Sequence, residues 1–293
     1  MLKWWDGALR SKHLVDKIIH SIFFLGKINN PPYTPKSIVG VKMLTELERD
    51  FPLPFRYYSS KLPKRGPFSC VMDMMVLLKG QENEDQIKQS LRDLINNKLS
   101  EKKNKKFLVS TTICVSQKSN NSVRYYGVSM SATGYHPRRI LVAAACCSAW
   151  DDYVSDAVMT YYPNTVKKSY FDGTIKLPEG VRCDAFNLSN GDDKNPCMLC
   201  RDLFGLQVKE GKKQGVKESE VLWPYGNCAE AESLSNLLKK EKEVKENTQQ
   251  KLHNPEDRQT AKDSVLAELI RLLDKVKFDT WDNDFYTPQI EQS

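Results

Sequence analysis

Two short motifs contain the residue types of a metal site. The first motif, Pro-Cys-x-x-Cys-Arg, contains Cys197 and Cys200. The second motif, Asn-Cys-Ala-Glu, contains Cys228 and Glu230. Structural zinc sites usually have four protein ligands, whereas hydrolytic sites have three and leave the fourth position to a water that the metal acidifies. Three cysteines with a nearby acid therefore predict a catalytic Zn²⁺ site.

Two helix N-termini are expected to direct the three sulfur atoms at one ion. Side chains in Cys-x-x-Cys lie one helical turn apart, and Pro196 suits a helix start because it lacks the N–H that would be unsatisfied there. Gly226 and Asn227 are turn and N-cap residue types ahead of Cys228, and apolar residues with helical spacing follow. Helix N-termini favour anions and so lower the pKa of a thiol. Both motifs are therefore predicted in the first turns of helices.

Both motifs resemble those of the zinc-dependent nucleoside and nucleobase deaminase superfamily, whose signature is H-x-E with P-C-x-x-C. The resemblance is to the cytidine deaminase branch in particular, where Cys-Ala-Glu replaces the His form. It implies that Cys197, Cys200 and Cys228 hold Zn²⁺. It also implies that Glu230 carries protons from the activated water to the base ring and the leaving amine.

For the whole chain, the resemblance implies an α/β fold, a three-layer deaminase-like mixed sheet flanked by helices. This zinc domain is expected over 67–240, with an N-terminal extension over 1–66 and a C-terminal helical extension over 241–293. The implied function is hydrolytic deamination of a cytosine- or adenine-type base in a nucleoside, nucleotide or nucleic acid. Such deaminases often assemble, so a homo-oligomer is a candidate state.

The sequence departs from the family pattern in two places. The Cys-Ala-Glu motif follows Pro-Cys-x-x-Cys in this chain, whereas it precedes it in the family, so the motif order is inverted. Ser129 stands where cytidine deaminases tend to have an Asn that holds the ribose. A zinc ion is indifferent to chain order, so a rearranged topology could still bring the same groups together.

The surrounding pattern predicts the elements that carry the motifs. Two β-rich runs, 107–117 and 123–132, surround a turn and predict a hairpin. A long apolar helix is predicted over 138–162, and a short strand over 181–188 leads to the first motif. The apolar run 70–78 is typical of a strand or another buried segment. Helices are further predicted over 13–25, 82–99 and 265–276.

Two other interpretations of the motifs remain open. In one, the chain is a non-enzymatic interaction protein in which zinc only stabilises the fold, and a fourth ligand such as His136 or Cys183 completes the coordination. In the other, Cys197 and Cys200 form a redox pair that binds no metal and closes reversibly to a disulfide. Glu230 is also typical of a solvent-exposed acid on a charged helix. Four protein ligands at the metal would favour the interaction protein, whereas three protein ligands and a water would favour the enzyme.

The composition argues against a disulfide-rich secreted domain. Eight cysteines are spread over 293 residues, and no secretory leader is recognisable. Both features favour a reducing compartment, the cytoplasm or the nucleus. The apolar run 18–25 is too short to span a bilayer, so no membrane association is expected.

Basic and aromatic residues provide candidate contacts to a nucleic-acid substrate. The net charge of +7 is compatible with binding to a phosphate backbone. Lys102 to Lys106 and Arg138 with Arg139 are candidate contacts, although each cluster alone is more typical of a solvated surface. Trp223 and Tyr225 lie within five residues of Cys228 and could stack on a base, but aromatic residues beside a helix start more often belong to the core.

Overall fold

The computed structural model describes residues 9–98, 108–208, 224–251 and 253–288. Within these ranges the chain forms twelve α-helices and six β-strands. The helices are α1 (Leu9–Lys27), α2 (Pro35–Val39), α3 (Val41–Asp50), α4 (Pro52–Tyr57), α5 (Pro67–Lys79), α6 (Glu84–Asp93), α7 (Tyr135–Ser148), α8 (Asp152–Met159), α9 (Met198–Phe204), α10 (Ala229–Lys240), α11 (Lys242–Asn247) and α12 (Pro255–Lys275). The strands are β1 (Thr112–Gln117), β2 (Tyr125–Val128), β3 (Ile175–Lys176), β4 (Arg182–Asn187), β5 (Asp193–Lys194) and β6 (Gln249–Gln250). No helix in these ranges is both long enough and apolar enough to cross a bilayer.

Four strands form one sheet in the order β2-β1-β4-β5. The predicted hairpin is confirmed, since β1 pairs with β2 and Ile113 lies opposite Val128. The strand predicted over 181–188 is confirmed as β4, whose Phe186 pairs with Ile113 from the other side. The expected mixed sheet is wrong for the described residues, because every pairing in this sheet is antiparallel. The strands β2 and β4 run parallel to each other, but β1 lies between them. A separate small sheet joins β3 and β6.

Side chains of β1 alternate between the two faces of the sheet. Ile113 points to an apolar cluster that β1 and β2 form with α5 and α6. Cys114 and Ser116 point to α10, where Cys114 contacts Ala229 and Ser116 Oγ hydrogen-bonds to Ser233 Oγ at 2.7 Å. The opposite face of α10 packs in a large apolar cluster with α7, α8 and α12. Helices therefore cover both faces of the sheet, as expected, and a further group of helices packs behind α10.

The run 70–78 lies within helix α5, so of the two alternatives for this run the buried segment is confirmed and the strand is wrong. Gly66 is the N-cap of this helix and Pro67 is its first residue, which is a favoured arrangement. Most residues of α5 are buried, and they occupy nearly every side of the helix. Burial on nearly every side produces a continuous apolar run, and such a run does not distinguish a buried helix from a buried strand.

The segment predicted as one helix over 138–162 is two helices, α7 and α8. The Asp151 side chain caps α8 by accepting the Tyr153 N–H at 3.0 Å. The Asp151 N–H in turn donates to Ser235 Oγ on α10 at 2.8 Å. The break between α7 and α8 is therefore fixed by this contact with α10. No local sequence pattern indicates that the contact forms.

The two ends of the described chain pack against the central helices. α1 lies against α5, and α12 lies against α7. The segment after α12 returns to the N-terminal half, where the Tyr286 N–H donates to Leu62 O at 2.8 Å and the Tyr286 hydroxyl hydrogen-bonds to Asp16. The three further helices predicted from the sequence are confirmed as α1, α6 and α12. The division of the chain at residues 66 and 240 stays a prediction.

Candidate metal centre

Cys197 and Cys200 lie at the N-terminus of α9. Cys197 is the N-cap residue, with extended backbone angles of φ −70° and ψ 168°. Pro196 precedes this cap, and Cys200 lies in the first helical turn. This geometry places Cys197 Sγ 3.7 Å from Cys200 Sγ. Cys197 is exposed and Cys200 is buried, so the pair extends from the surface into the core.

Cys228 occupies the equivalent position on α10. It is the N-cap residue, with φ −77° and ψ 156°, whereas Asn227, the predicted N-cap, lies one residue earlier. The turn before it requires Gly226, whose φ of +86° favours glycine. A Cβ atom on Gly226 would lie 3.0 Å from the Trp150 ring. This turn brings Cys228 Sγ to 3.4 Å from Cys197 Sγ.

All three sulfur atoms lie within 4.8 Å of one another. A tetrahedral ion with metal–sulfur bonds of about 2.3 Å places its sulfur ligands about 3.8 Å apart. The separations of 3.7 Å and 3.4 Å from Cys197 Sγ are close to that spacing. They are far beyond a disulfide bond of about 2.05 Å. The three cysteines therefore form a cluster that could hold one metal ion.

No fourth protein ligand joins this cluster within the part of the chain that the structure describes. No other His, Cys, Asp or Glu ligand atom there lies within 4.8 Å of all three sulfurs. Of the two candidates, Cys183 Sγ lies 3.5 Å from Cys114 Sγ on the sheet. The other, His136, packs edge-on against Tyr135 with ring centroids 5.3 Å apart. Residues 209–223, between α9 and α10, lie outside the described ranges.

The surroundings of Cys197 favour its thiolate form. Contacts with the Cys200 and Cys228 thiols, together with the backbone N–H groups of Cys200 and Leu199, lower the pKa of Cys197 to about 3 against the opposing effect of burial. Contact with Cys197 raises the pKa of the Cys200 and Cys228 thiols, and burial adds to this. A metal cation is the partner that would let all three sulfurs lose their protons.

Glu230 lies beside the sulfur cluster in the first turn of α10. It is 5 % exposed, so its interpretation as a solvent-exposed acid is wrong. Burial and the negative charge of Cys197 raise the pKa of Glu230 to about 7, and contact with Cys200 and the charge of Lys194 partly offset this rise. The Lys194 ammonium is held by Thr112 Oγ1 at 2.9 Å. Glu230 is thus a buried carboxyl group whose pKa is raised by burial and by the charge of the adjacent Cys197.

Close contact with the sheet fixes the position of α10. A Cβ atom on Gly127 of β2 would lie 2.2 Å from Ser233 N and 2.5 Å from Ala229 O. The Ser233 hydroxyl also donates to Tyr125 O at 3.0 Å. Only a glycine lets the helix backbone approach the strand this closely. The sheet therefore positions the first turn of α10, which carries two residues of the site.

An ion pair between Glu232 and Arg65 also holds the first turn of α10 in place. Glu232 accepts from Arg65 Nε at 2.6 Å, from Val128 N at 2.9 Å and from Ser69 Oγ at 3.1 Å. Arg65 also donates to Asp73 on α5 at 2.6 Å. The turn that carries the proposed acid is thus connected to both β2 and α5.

Tyr225 connects the turn before α10 to α9. Its hydroxyl donates to Asp202 on α9 at 2.9 Å, and its ring stacks on Tyr161 with centroids 4.1 Å apart. Because Tyr225 is 4 % exposed, it is a core residue and is not free to stack on a base. Trp223 lies outside the described residues.

One of the predicted phosphate contacts, Arg139, is not available to a ligand in the structure. Arg139 is buried, and its guanidinium binds Glu268 at 3.1 Å, so it is not accessible to a phosphate backbone. Lys102 to Lys106 lie in a segment that the structure does not describe. The structure therefore adds no support for a nucleic-acid substrate over a smaller one.

Three residues that position the site were missed in the sequence. Gly127 carries a recognisable signal, because an isolated glycine in a strand often marks a close backbone approach. Arg65 and Glu232 are 167 residues apart, and the sequence around each residue does not indicate that the two form an ion pair. Glu232 resembles the exposed charges that follow it on the helix.

Comparisons with protein-family models, curated proteins and solved structures found no match for this chain. The cysteine cluster, the buried carboxyl group of Glu230 and the elements that hold them are therefore the features that point to a function.

Proposed function

We propose that this chain is a zinc-dependent hydrolytic deaminase that acts on a cytosine- or adenine-type base in a nucleoside, nucleotide or nucleic acid. The observation that most supports this proposal is a cluster of three cysteine sulfurs within 4.8 Å of one another, without a fourth ligand in the described residues. Buried Glu230 lies beside the cluster. A hydrolytic zinc site needs these parts: three protein ligands, a position for water and an acid–base group.

The chemistry of the donor set favours zinc as the metal. Thiolate ligands select soft and borderline ions such as Zn²⁺ over Mg²⁺ or Ca²⁺, which prefer oxygen. The sulfur separations of 3.7 Å and 3.4 Å suit Zn–S bonds of about 2.3 Å. Cys197, Cys200 and Cys228 are the proposed ligands.

The order of the elements before α9 supports the deaminase interpretation, although the antiparallel sheet and the inverted motif order depart from the family pattern. The hairpin of β1 and β2, the strand β4 and the helix α9 follow one another in the order that the family resemblance implies. α10 comes later in the chain, yet it packs directly on β1 and β2. This packing brings the Cys-Ala-Glu motif to the Pro-Cys-x-x-Cys motif, so chain order does not prevent the groups from meeting.

Glu230 is the proposed proton carrier. Bound zinc would lower the pKa of a water to about 7 and so supply a nucleophile at neutral pH. The Glu230 carboxylate takes one proton from the water and gives it to the ring nitrogen, while the resulting hydroxide forms a bond to the amino-bearing ring carbon. Glu230 then transfers the second proton of that oxygen to the amino group, the C–N bond breaks, and the oxygen becomes the carbonyl of the product. For each turnover one water is consumed, one amino group becomes a carbonyl, and one ammonia is released. Burial keeps bulk water from competing for the proton.

Ammonia release from the zinc-loaded protein tests this proposal. Cytidine, adenosine, their monophosphates and short single strands of DNA and RNA are the substrates to compare. Glu230→Gln keeps the shape of the side chain but cannot carry the proton, so activity should fall by about 10² to 10⁴-fold while zinc content stays the same. Glu243→Gln, on a side chain that is 66 % exposed, should leave activity unchanged.

Two results would contradict the proposal. One is a folded, zinc-loaded wild-type protein that releases no ammonia from any of these substrates. The other is a Glu230→Gln variant as active as the wild type. The first result would favour the alternative of an interaction protein in which zinc only stabilises the fold.

A further inference from the structure

A cavity of about 220 Å³ lies apart from the cysteine cluster. It is enclosed by α1, the segment before α5, α5 itself, the end of α7 and the C-terminal segment. Its charged lining residues are Lys17, Lys64 and Arg65, and none of the described residues that line it is acidic. A cavity this size holds far more than one water, which needs roughly 10–15 Å³ by a similar measure. Its walls therefore carry positive charge around space for a small ligand.

Two of these cations have an acidic group in their neighbourhood but are not bonded to it: the Lys17 charge acts on Asp16, and the Lys64 charge acts on Asp284. Lys17 and Lys64 are both half-buried. Among the described residues, neither ammonium group forms a hydrogen bond or an ion pair. Each ammonium group therefore has its N–H donors available to a ligand. An anion in the cavity would accept hydrogen bonds from both.

Arg65 contributes further donors to the same space. Its bonds to Asp73 and Glu232 use three of the five guanidinium N–H groups. Beside it, the Lys239 ammonium donates to the carbonyl of Ala149, another lining residue. Burial and then the neighbouring Arg65 charge lower the pKa of Lys239. Arg65 is bonded to two carboxylates, so the positive charge without a bonded carboxylate comes from Lys17, Lys64 and the neighbouring Lys239.

A larger cavity of about 570 Å³ differs from this one in how its lysines are bonded. It is also lined by lysines, including Lys167 and Lys251. Both of these ammonium groups bind the Asp172 carboxylate, at 2.6 Å and 2.5 Å. Two of its three lysines are therefore bonded to a carboxylate, and the third, Lys168, donates to the carbonyls of Met159 and Tyr162. The ammonium groups of Lys17 and Lys64 in the smaller cavity have no such bonds.

We propose that the smaller cavity binds a phosphate group, as inorganic phosphate or as part of a phosphomonoester. Lys17, Lys64 and Arg65 offer only hydrogen-bond donors, and a phosphate group offers mainly acceptors with a double negative charge. The lining of the cavity contains none of the metal-centre cysteines and does not contain Glu230, although Arg65 connects the two sites through its bond to Glu232. Neither Lys17 nor Lys64 contacts the metal centre, so their variants test the cavity separately from the proposed deaminase activity.

Titration with inorganic phosphate at constant ionic strength tests the proposal, with chloride as the balancing anion. Calorimetric affinity and the thermal midpoint are measured for the wild type, for Lys17→Gln with Lys64→Gln, and for Lys64→Gln alone. The double variant should lose at least about tenfold in affinity, and the single variant less. Without phosphate, the variants should be as stable as the wild type, since neither lysine has a bond to lose. Lys42→Gln, an exposed lysine on α3 outside the lining, is the control and should bind as the wild type does.

Glycerol 3-phosphate distinguishes the two sources of the ligand. Tighter binding than inorganic phosphate would identify a phosphorylated metabolite, and weaker binding would identify the free ion. Equal phosphate affinity in the wild type and in both lysine variants would overturn the proposal. So would the absence of any phosphate-dependent change in the wild type.

Discussion

Cys197 Sγ lies 3.4 Å from Cys228 Sγ, although 31 residues separate the two cysteines in the chain. Each is the N-cap of a different helix. The hydrogen bond from Tyr225 to Asp202, at 2.9 Å, joins the same two elements without using either sulfur. The two helix N-termini are therefore held together by packing as well as by the cluster, which is the arrangement that a preformed metal site requires.

Metal binding should protect Cys197 from alkylation. Cys197 is exposed, whereas Cys200 is buried, so Cys197 should be the first of the three to react with iodoacetamide once a chelator has removed the metal. In the zinc-loaded protein all three should stay unmodified, because coordinated sulfur is a poor nucleophile. Peptide mass mapping measures this. Cys147, half-buried and outside the cluster, should react equally in both samples. Equal alkylation of Cys197 with and without zinc would contradict its role as a ligand.

Gly127→Ala should destabilise the fold and displace α10. The added Cβ would lie 2.2 Å from Ser233 N, a backbone atom that cannot rotate away. Overpacking of this kind lowers the free energy of unfolding by about 1–3 kcal/mol, and a backbone clash lies at the upper end. Urea unfolding and zinc affinity should both fall. Gly66→Ala is the matched control, since its nearest contact is Ser131 Oγ at 3.4 Å, and it should cost less than about 1 kcal/mol through a weaker N-cap. Similar losses in both variants would show that α10 does not depend on this approach.

Glu84 should make stability depend on pH below pH 5. Burial alone would raise the pKa of Glu84, but hydrogen bonds from Arg182, at 2.8 Å and 2.9 Å, and from Lys88 outweigh it and lower the pKa from 4.5 to about 2. The folded-state pKa is depressed, so the stabilisation is complete above pH 4.5 and is lost as the pH falls towards 2.

Glu84→Gln should therefore lower the free energy of unfolding at pH 7 by on the order of 2 kcal/mol. The difference from the wild type should shrink between pH 4.5 and pH 2. Urea titrations at several pH values measure it. Glu243→Gln, whose ion pair with Lys118 is largely exposed, should change stability little at any pH. A constant difference between Glu84→Gln and the wild type across this range would mean that the carboxylate charge is not the cause.

The sequence predicted the elements with strong local signals. The hairpin of β1 and β2 consists of two β-rich runs on either side of a polar turn. Helix α10 begins at a turn, and apolar residues with helical spacing follow it. The cysteine cluster could be predicted because Cys-x-x-Cys and Cys-x-Glu are local patterns with a chemical meaning. Their meeting could not be derived from spacing, because it depends on how α10 packs on the sheet.

The errors have a common physical cause. The break between α7 and α8 depends on the hydrogen bond from Asp151 N to Ser235 Oγ, 84 residues away. The burial of Glu232 depends on Arg65, which lies 167 residues away. Helix α5 is buried on nearly every side, so its sequence lacks the periodicity that identifies a helix. In each case tertiary contacts determine what the local sequence leaves open.

Zinc stoichiometry is the most direct test of the proposed metal centre. Elemental analysis of protein purified without added metal should find one zinc per chain. Cys197→Ala and Cys228→Ala should each lose it, because the ligands come from two helices, whereas Cys147→Ala should retain it. No zinc in the wild type, with a reversible disulfide between Cys197 and Cys200, would favour a redox pair instead. Zinc that survives Cys228→Ala would contradict a single ion shared by α9 and α10.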